Sequence, residues 1–113
     1  MKISKLPEIS IKETPHKTEV KLLYDNSFAQ ASHIKLQAGE SLKSHITPVD
    51  VFFYVLEGTP EIMVGEEKQI VHSDCLVESP KNISHCIYNN SDKIVRVLVV
   101  KAPKPTSKTI FLK

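Results

Sequence analysis

The chain has 113 residues, 41% of them hydrophobic and 25% charged, with a formal net charge of +2. That length suits one domain built on a single core. The lysines are scattered rather than clustered, which excludes the basic face that nucleic-acid binding needs, and no apolar run approaches the roughly 20 residues of a membrane-spanning helix.

The N-terminal segment KLPEISIKETPHKTE reads as an extended arm carrying His16. It has no apolar leader core, so no signal peptide and a cytoplasmic location are expected. Strands follow at short intervals: Val20–Tyr24, Gln30–Leu36, Val51–Leu56, Glu61–Val64, Gln69–His72, Leu76–Glu78, His85–Tyr88 and Ile94–Lys101. Turn-forming residues separate them, with Asp25-Asn26-Ser27, Gly65-Glu66 and Asn89-Asn90-Ser91-Asp92-Lys93 the plainest cases. Almost nothing reads as helix, and the C-terminal APKPTSKTIFLK reads as a second extended arm. The strands at Val51–Leu56 and Ile94–Val100 are apolar on both faces, so a second surface must cover them. A partner copy is the simplest source and predicts a homodimer; the two arms folding back is the alternative. His33 alternates with Ile34 and Leu36 and is expected at solvent, as are His16 and His72. Cys75 and Cys86 lack the spacing of a redox or metal pair and are expected to be reduced and near the core.

Two segments carry a family resemblance. GESLKSHITPVDVFFYVLEG (Gly39 to Gly58) resembles the first motif of cupins, a run of Gly, His-x-His, Glu and Gly in fixed order. DCLVESPKNISHCIYN (Asp74 to Asn89) resembles the second, with Pro80, His85 and Asn89 in place. Asp74 and Asn82 stand where that motif usually has glycines. The resemblance implies an all-β double-stranded β-helix, a jelly-roll cupin barrel, with residues 1–113 forming a single domain that ends in the two arms.

It also implies a metal site inside the barrel, held by the His-x-His pair, the Glu and the second-motif His. Position by position, His45 and His85 match the first and last of these. Thr47 replaces the second histidine and Val51 replaces the glutamate. A divalent transition metal (Zn, Ni, Cu, Mn or Fe) on His45 and His85 alone would be weakly held, because catalytic sites usually keep three protein ligands. Asp50 is the nearest carboxylate, but strand neighbours face opposite ways, so it reaches the site only through a bulge after Pro48. Inward parity adds Phe53 from the first motif, Ile87 and Asn89 from the second, and Met63 from the hairpin between them. With Thr47 and Val51 these line a mostly apolar pocket with a few polar groups, the usual make-up of a small-molecule site. Cys86 adjoins His85 in sequence but faces away from it, so no Cys–His nucleophile is expected. Two functions compete: a small-molecule-binding cupin with a degenerate metal site, serving as a sensor or carrier, and a metal-dependent oxygenase or isomerase acting on a sugar-like or carboxylate substrate.

Overall fold

The structure, a computed structural model, describes residues 1–112. Ten strands appear among these residues: β1 (Glu19–Asp25), β2 (Gln30–Leu36), β3 (His45–Ile46), β4 (Val51–Glu57), β5 (Glu61–Val64), β6 (Glu67–Ile70), β7 (Leu76–Ser79), β8 (Ser84–Tyr88), β9 (Val95–Lys101) and β10 (Ile110–Phe111). They form two five-stranded antiparallel sheets, β1-β2-β9-β4-β7 and β10-β3-β8-β5-β6. Among the described residues no ladder joins the two sheets, so the expected jelly roll is present as two facing sheets rather than a closed barrel. Among the described residues the only helical element is a 3-10 turn at Leu6–Glu8, and no helix is long and apolar enough to cross a membrane.

Alternation drives the packing. In β4 and β9 every second side chain is buried, so Val51, Phe53 and Val55 of β4 meet Val95, Val97 and Val99 of β9 between the sheets. Ile34 and Leu36 of β2 and Ile62 and Ile87 of the second sheet complete this core. The other faces of β4 and β9 carry Phe52, Tyr54, Leu98 and Val100, which are half-buried.

Both motifs are corners where the chain changes sheet. The first runs from β3 in one sheet to β4 in the other, and the second from β7 back to β8. The corners lie against each other: Asn82 N–H donates to the Thr47 carbonyl at 2.9 Å, and Lys81 N–H to Asp50 Oδ1 at 2.9 Å. Asp74 and Asn82, the two departures from the usual glycines, have φ of 64° and 65°. Asp and Asn are among the few non-glycine residues that enter this left-handed region readily, so the corners keep their geometry. Gly58 has φ +86°, and a Cβ there would lie 2.5 Å from the Ile94 carbonyl oxygen, so this position admits only glycine.

Several expectations are corrected. The sixth strand lies at Glu67–Ile70 rather than Gln69–His72, because the tight Gly65-Glu66 turn pairs Val64 directly with Glu67. The C-terminal arm, read as extended, also contributes a strand not read from the sequence: Ile110 and Phe111 pair with Ile46 and His45. His33 does face away from Ile34, as parity requires, yet it is only 2% exposed. Arg96 Nη1 donates to its Nε2 at 3.1 Å, and burial, with the Arg96 charge second, lowers its pKa. Cys75 is exposed rather than near the core, and Cys86 is buried.

Candidate functional site

His45 and His85 are directly opposed residues of β3 and β8, so both side chains leave the second sheet on its inner face. Their Nε2 atoms are 3.0 Å apart. A chain of hydrogen bonds assigns the protons. The Lys43 carbonyl can only accept, so His45 Nδ1, at 2.7 Å from it, is protonated and His45 Nε2 is bare. His85 therefore donates from Nε2 toward His45 Nε2, with Thr47 Oγ1 also within 3.2 Å, and its bare Nδ1 accepts the Ser79 hydroxyl at 2.7 Å. Ser79, opposite Val51 in the β4–β7 ladder, is 1% exposed.

These imidazoles are held neutral. Burial, followed by the charges of His45, Lys101 and His16, lowers the His85 pKa to about 3. His45 is lowered mainly by burial, against the opposing effect of its bond to Lys43. Burial and then the His45 charge lower His16 to about 4.

His16 corrects the solvent-facing expectation. A turn at Thr14–Lys17 folds the N-terminal arm across the open end of the sheets, where Lys43 N–H donates to His16 Nδ1 at 2.8 Å. Its ring lies edge-on to His45, 4.8 Å between centroids, and 5.1 Å from Phe111 of the C-terminal arm. The Thr14-Pro15-His16-Lys17 turn was the available sequence signal. Both arms thus close over the histidines.

The remaining residues separate into three groups. Thr47, Val51 and Phe53 are buried with the histidines; the Phe53 ring is 5.1 Å from that of His85, edge-on. Ile87 is fully buried in the core below. Asp50, Met63 and Asn89 do not join them. Asp50 is exposed and caps the second corner through Lys81. Met63 pairs with Cys86 on the opposite face of its strand, and Ile62 is the inward residue. Asn89 is fully buried, but its amide group donates to the carbonyls of Leu36, Gln37 and Lys93 while its Oδ1 accepts from Ser91. It has no hydrogen-bonding capacity left for a ligand. Cys86 points away from His85 and donates to the Leu42 carbonyl.

The donor set falls short of the metal that the motifs imply. Among the described residues no three His, Cys, Asp or Glu side chains are grouped to hold one ion. His45 offers a bare Nε2, and His85 would offer one after moving its proton to Nδ1, where Ser79 can accept it. His16 cannot supply the third, because its Nδ1 is occupied by Lys43 N–H and its proton sits on Nε2. Asp50 faces away.

Beside the histidines a cavity of about 250 Å³ opens between the sheets, lined by His16, His45, Phe53, Phe111 and the inward residues of β2 and β9. A family model described as "Cupin domain" matches residues 32–101, and the chain belongs to that family. No curated protein matches it in sequence. Among solved structures it is similar to TT1209 of Thermus thermophilus, at 26% identity over 93% of this chain and 100% of that one, with a TM-score of 0.80. A conserved double-stranded β-helix protein of Klebsiella pneumoniae is similar at 13% identity, covering 100% and 98%, with a TM-score of 0.83. The polyketide cyclase RemF of Streptomyces resistomycificus is similar at 15% identity, covering 100% and 86%, with a TM-score of 0.85. At the last two identities the likeness is one of fold.

Proposed function

We propose that this cupin binds a small organic molecule in the cavity beside His45 and His85 without a resident metal, and serves as a sensor or carrier. The observation that carries this reading is the closed hydrogen-bond chain from Ser79 through His85 and His45 to the Lys43 carbonyl. Both histidines are satisfied by the protein, and the two missing family ligands are replaced by Thr47 and Val51 with no substitute carboxylate. The free thiols suit the cytoplasmic location read from the sequence. The half-buried Phe52, Tyr54, Leu98 and Val100, adjacent in the β4–β9 register, support a homodimer through that face.

A metal-dependent oxygenase or isomerase is the second reading. The 3.0 Å between the two Nε2 atoms favours it, since two nitrogens on one tetrahedral ion at about 2.0–2.1 Å lie roughly 3.3 Å apart. The fold it shares with the polyketide cyclase RemF supports the same reading. A thermal-shift screen of sugars and carboxylic acids, run in chelator and with added Zn, Ni, Cu, Mn or Fe, separates the two. The binding reading expects stabilisation by an organic ligand in chelator. A compound turned over only when metal is present overturns it.

A further inference from the structure

We propose that the cavity takes a short monocarboxylic acid, with Lys101 holding the carboxylate and the hydrocarbon chain lying on the apolar walls. This rests on the binding reading and names the ligand class for that same site. Lys101 ends β9 on the same face as Val95, Val97 and Val99, and it pairs with Gln30 on one side and Val51 on the other. That parity sends its side chain between the sheets, where it lines the 250 Å³ cavity. The arrangement was available in the sequence, since Lys101 continues the alternation of the three buried valines.

Among the described residues the amine has no counter-charge: the ion pairs there are Lys5–Glu8, Lys68–Glu61, Arg96–Glu57 and Lys104–Asp25, and none involves Lys101. Glu13 also lines the cavity but makes no ion pair there. The other titratable groups on the cavity wall are His16 and His45, both held neutral, and Lys12, which is basic. Burial and then the charge of Lys12 lower the Lys101 pKa, as expected of an ammonium group taken out of water without an anion beside it. A charge in that position is costly unless paired, and a ligand carboxylate supplies the pair. His16, with its proton on Nε2, and Ser32 add hydrogen-bond donors on the same walls.

The rest of the lining is mainly apolar, with Val20, Ile34, Leu42, Phe53, Val99 and Phe111 outnumbering the uncharged polar Thr14, Gln30 and Thr109. It suits a hydrocarbon chain. The volume corresponds to about eight waters at roughly 30 Å³ each. It is below the range of drug-sized pockets.

Hexanoate and its neutral counterpart hexanamide are the probes, titrated calorimetrically in chelator against the wild-type protein, Lys101→Met and Lys101→Arg. Lys101→Met keeps most of the length and the apolar stem while removing the half-buried charge, so it should fold and its melting temperature without ligand should not fall. Hexanoate should bind the wild type, hexanamide should bind at least about tenfold more weakly, and Lys101→Met should lose about tenfold to a hundredfold in hexanoate affinity. Lys101→Arg should keep part of it. Equal affinity for hexanoate and hexanamide, unchanged hexanoate affinity in Lys101→Met, or no binding of hexanoate overturns the carboxylate inference and leaves the metal-free pocket standing. Hexanoate binding that appears only on adding metal overturns the reading beneath it as well. A marked fall in the melting temperature of ligand-free Lys101→Met would show that the amine serves the fold, and that too overturns the assignment.

Discussion

Acidifying the protein from about pH 7 to about pH 4 should destabilise it through His85. This imidazole has a pKa of about 3 in the folded chain and an ordinary value of 6.5. Above 6.5 it is neutral in both states and its contribution is complete. Below 6.5 the unfolded chain takes up a proton that the folded chain refuses, so stability falls as pH falls toward the folded value. The slope reaches about 1.4 kcal/mol per pH unit, and the loss reaches about 3 kcal/mol at about pH 4. That is a large part of the roughly 5–15 kcal/mol that a domain of this kind holds. His45 and His16 are lowered in the same direction and add to the effect, and Lys101 opposes any new positive charge among them. The assay is urea unfolding followed by circular dichroism at several pH values, for the wild type and for His85→Gln. The glutamine variant is less stable at neutral pH but cannot titrate, so its stability should depend less steeply on pH. Parallel pH profiles for the two proteins would refute the neutral, hydrogen-bonded His85 on which the site description rests.

Two further outcomes are expected. Asn89→Ala should cost about 1–3 kcal/mol, because it takes the amide donor from the buried Leu36 carbonyl and the part-buried carbonyls of Gln37 and Lys93; a shifted urea midpoint at unchanged slope measures it. Tyr54→Lys places a charge on the outer face of β4 beside Leu98, so the proposed homodimer should dissociate at micromolar concentration; light scattering reads the mass, and a wild-type monomer would end that proposal.

Much of the fold was legible because strand alternation and turn residues are local signals. β2 and β5 have the bounds read from the sequence, and β4 and β9 differ from it by one residue at one end. The histidine pair was legible for a related reason: both motifs fix one residue at each sheet-changing corner, and the antiparallel register of β3 and β8 then sets His45 against His85. Lys101 and Ser79 were equally open to parity, since each continues a run of inward residues, but neither belongs to the motif positions from which the pocket was read.

What the sequence determined by itself was eight of the ten strands, the inward and outward sides of β2, β4 and β8, and the loss of two family ligands. These follow from the two-residue period of a strand and from residue identity, which no distant contact can change. Only the tertiary structure decided where the arms go and which polar groups satisfy one another. His16 reaches His45 because a turn folds the N-terminal arm across the sheets, and Phe111 reaches it because the far end of the chain pairs with β3. Asn89 became a clamp rather than a ligand group because three carbonyls from two separate segments converge on it. His33 faces the side that alternation assigns, yet it is buried there against Arg96. In each case at least one partner lies far off in the chain, and a residue's exposure depends on what packs over it, which strand period alone does not specify.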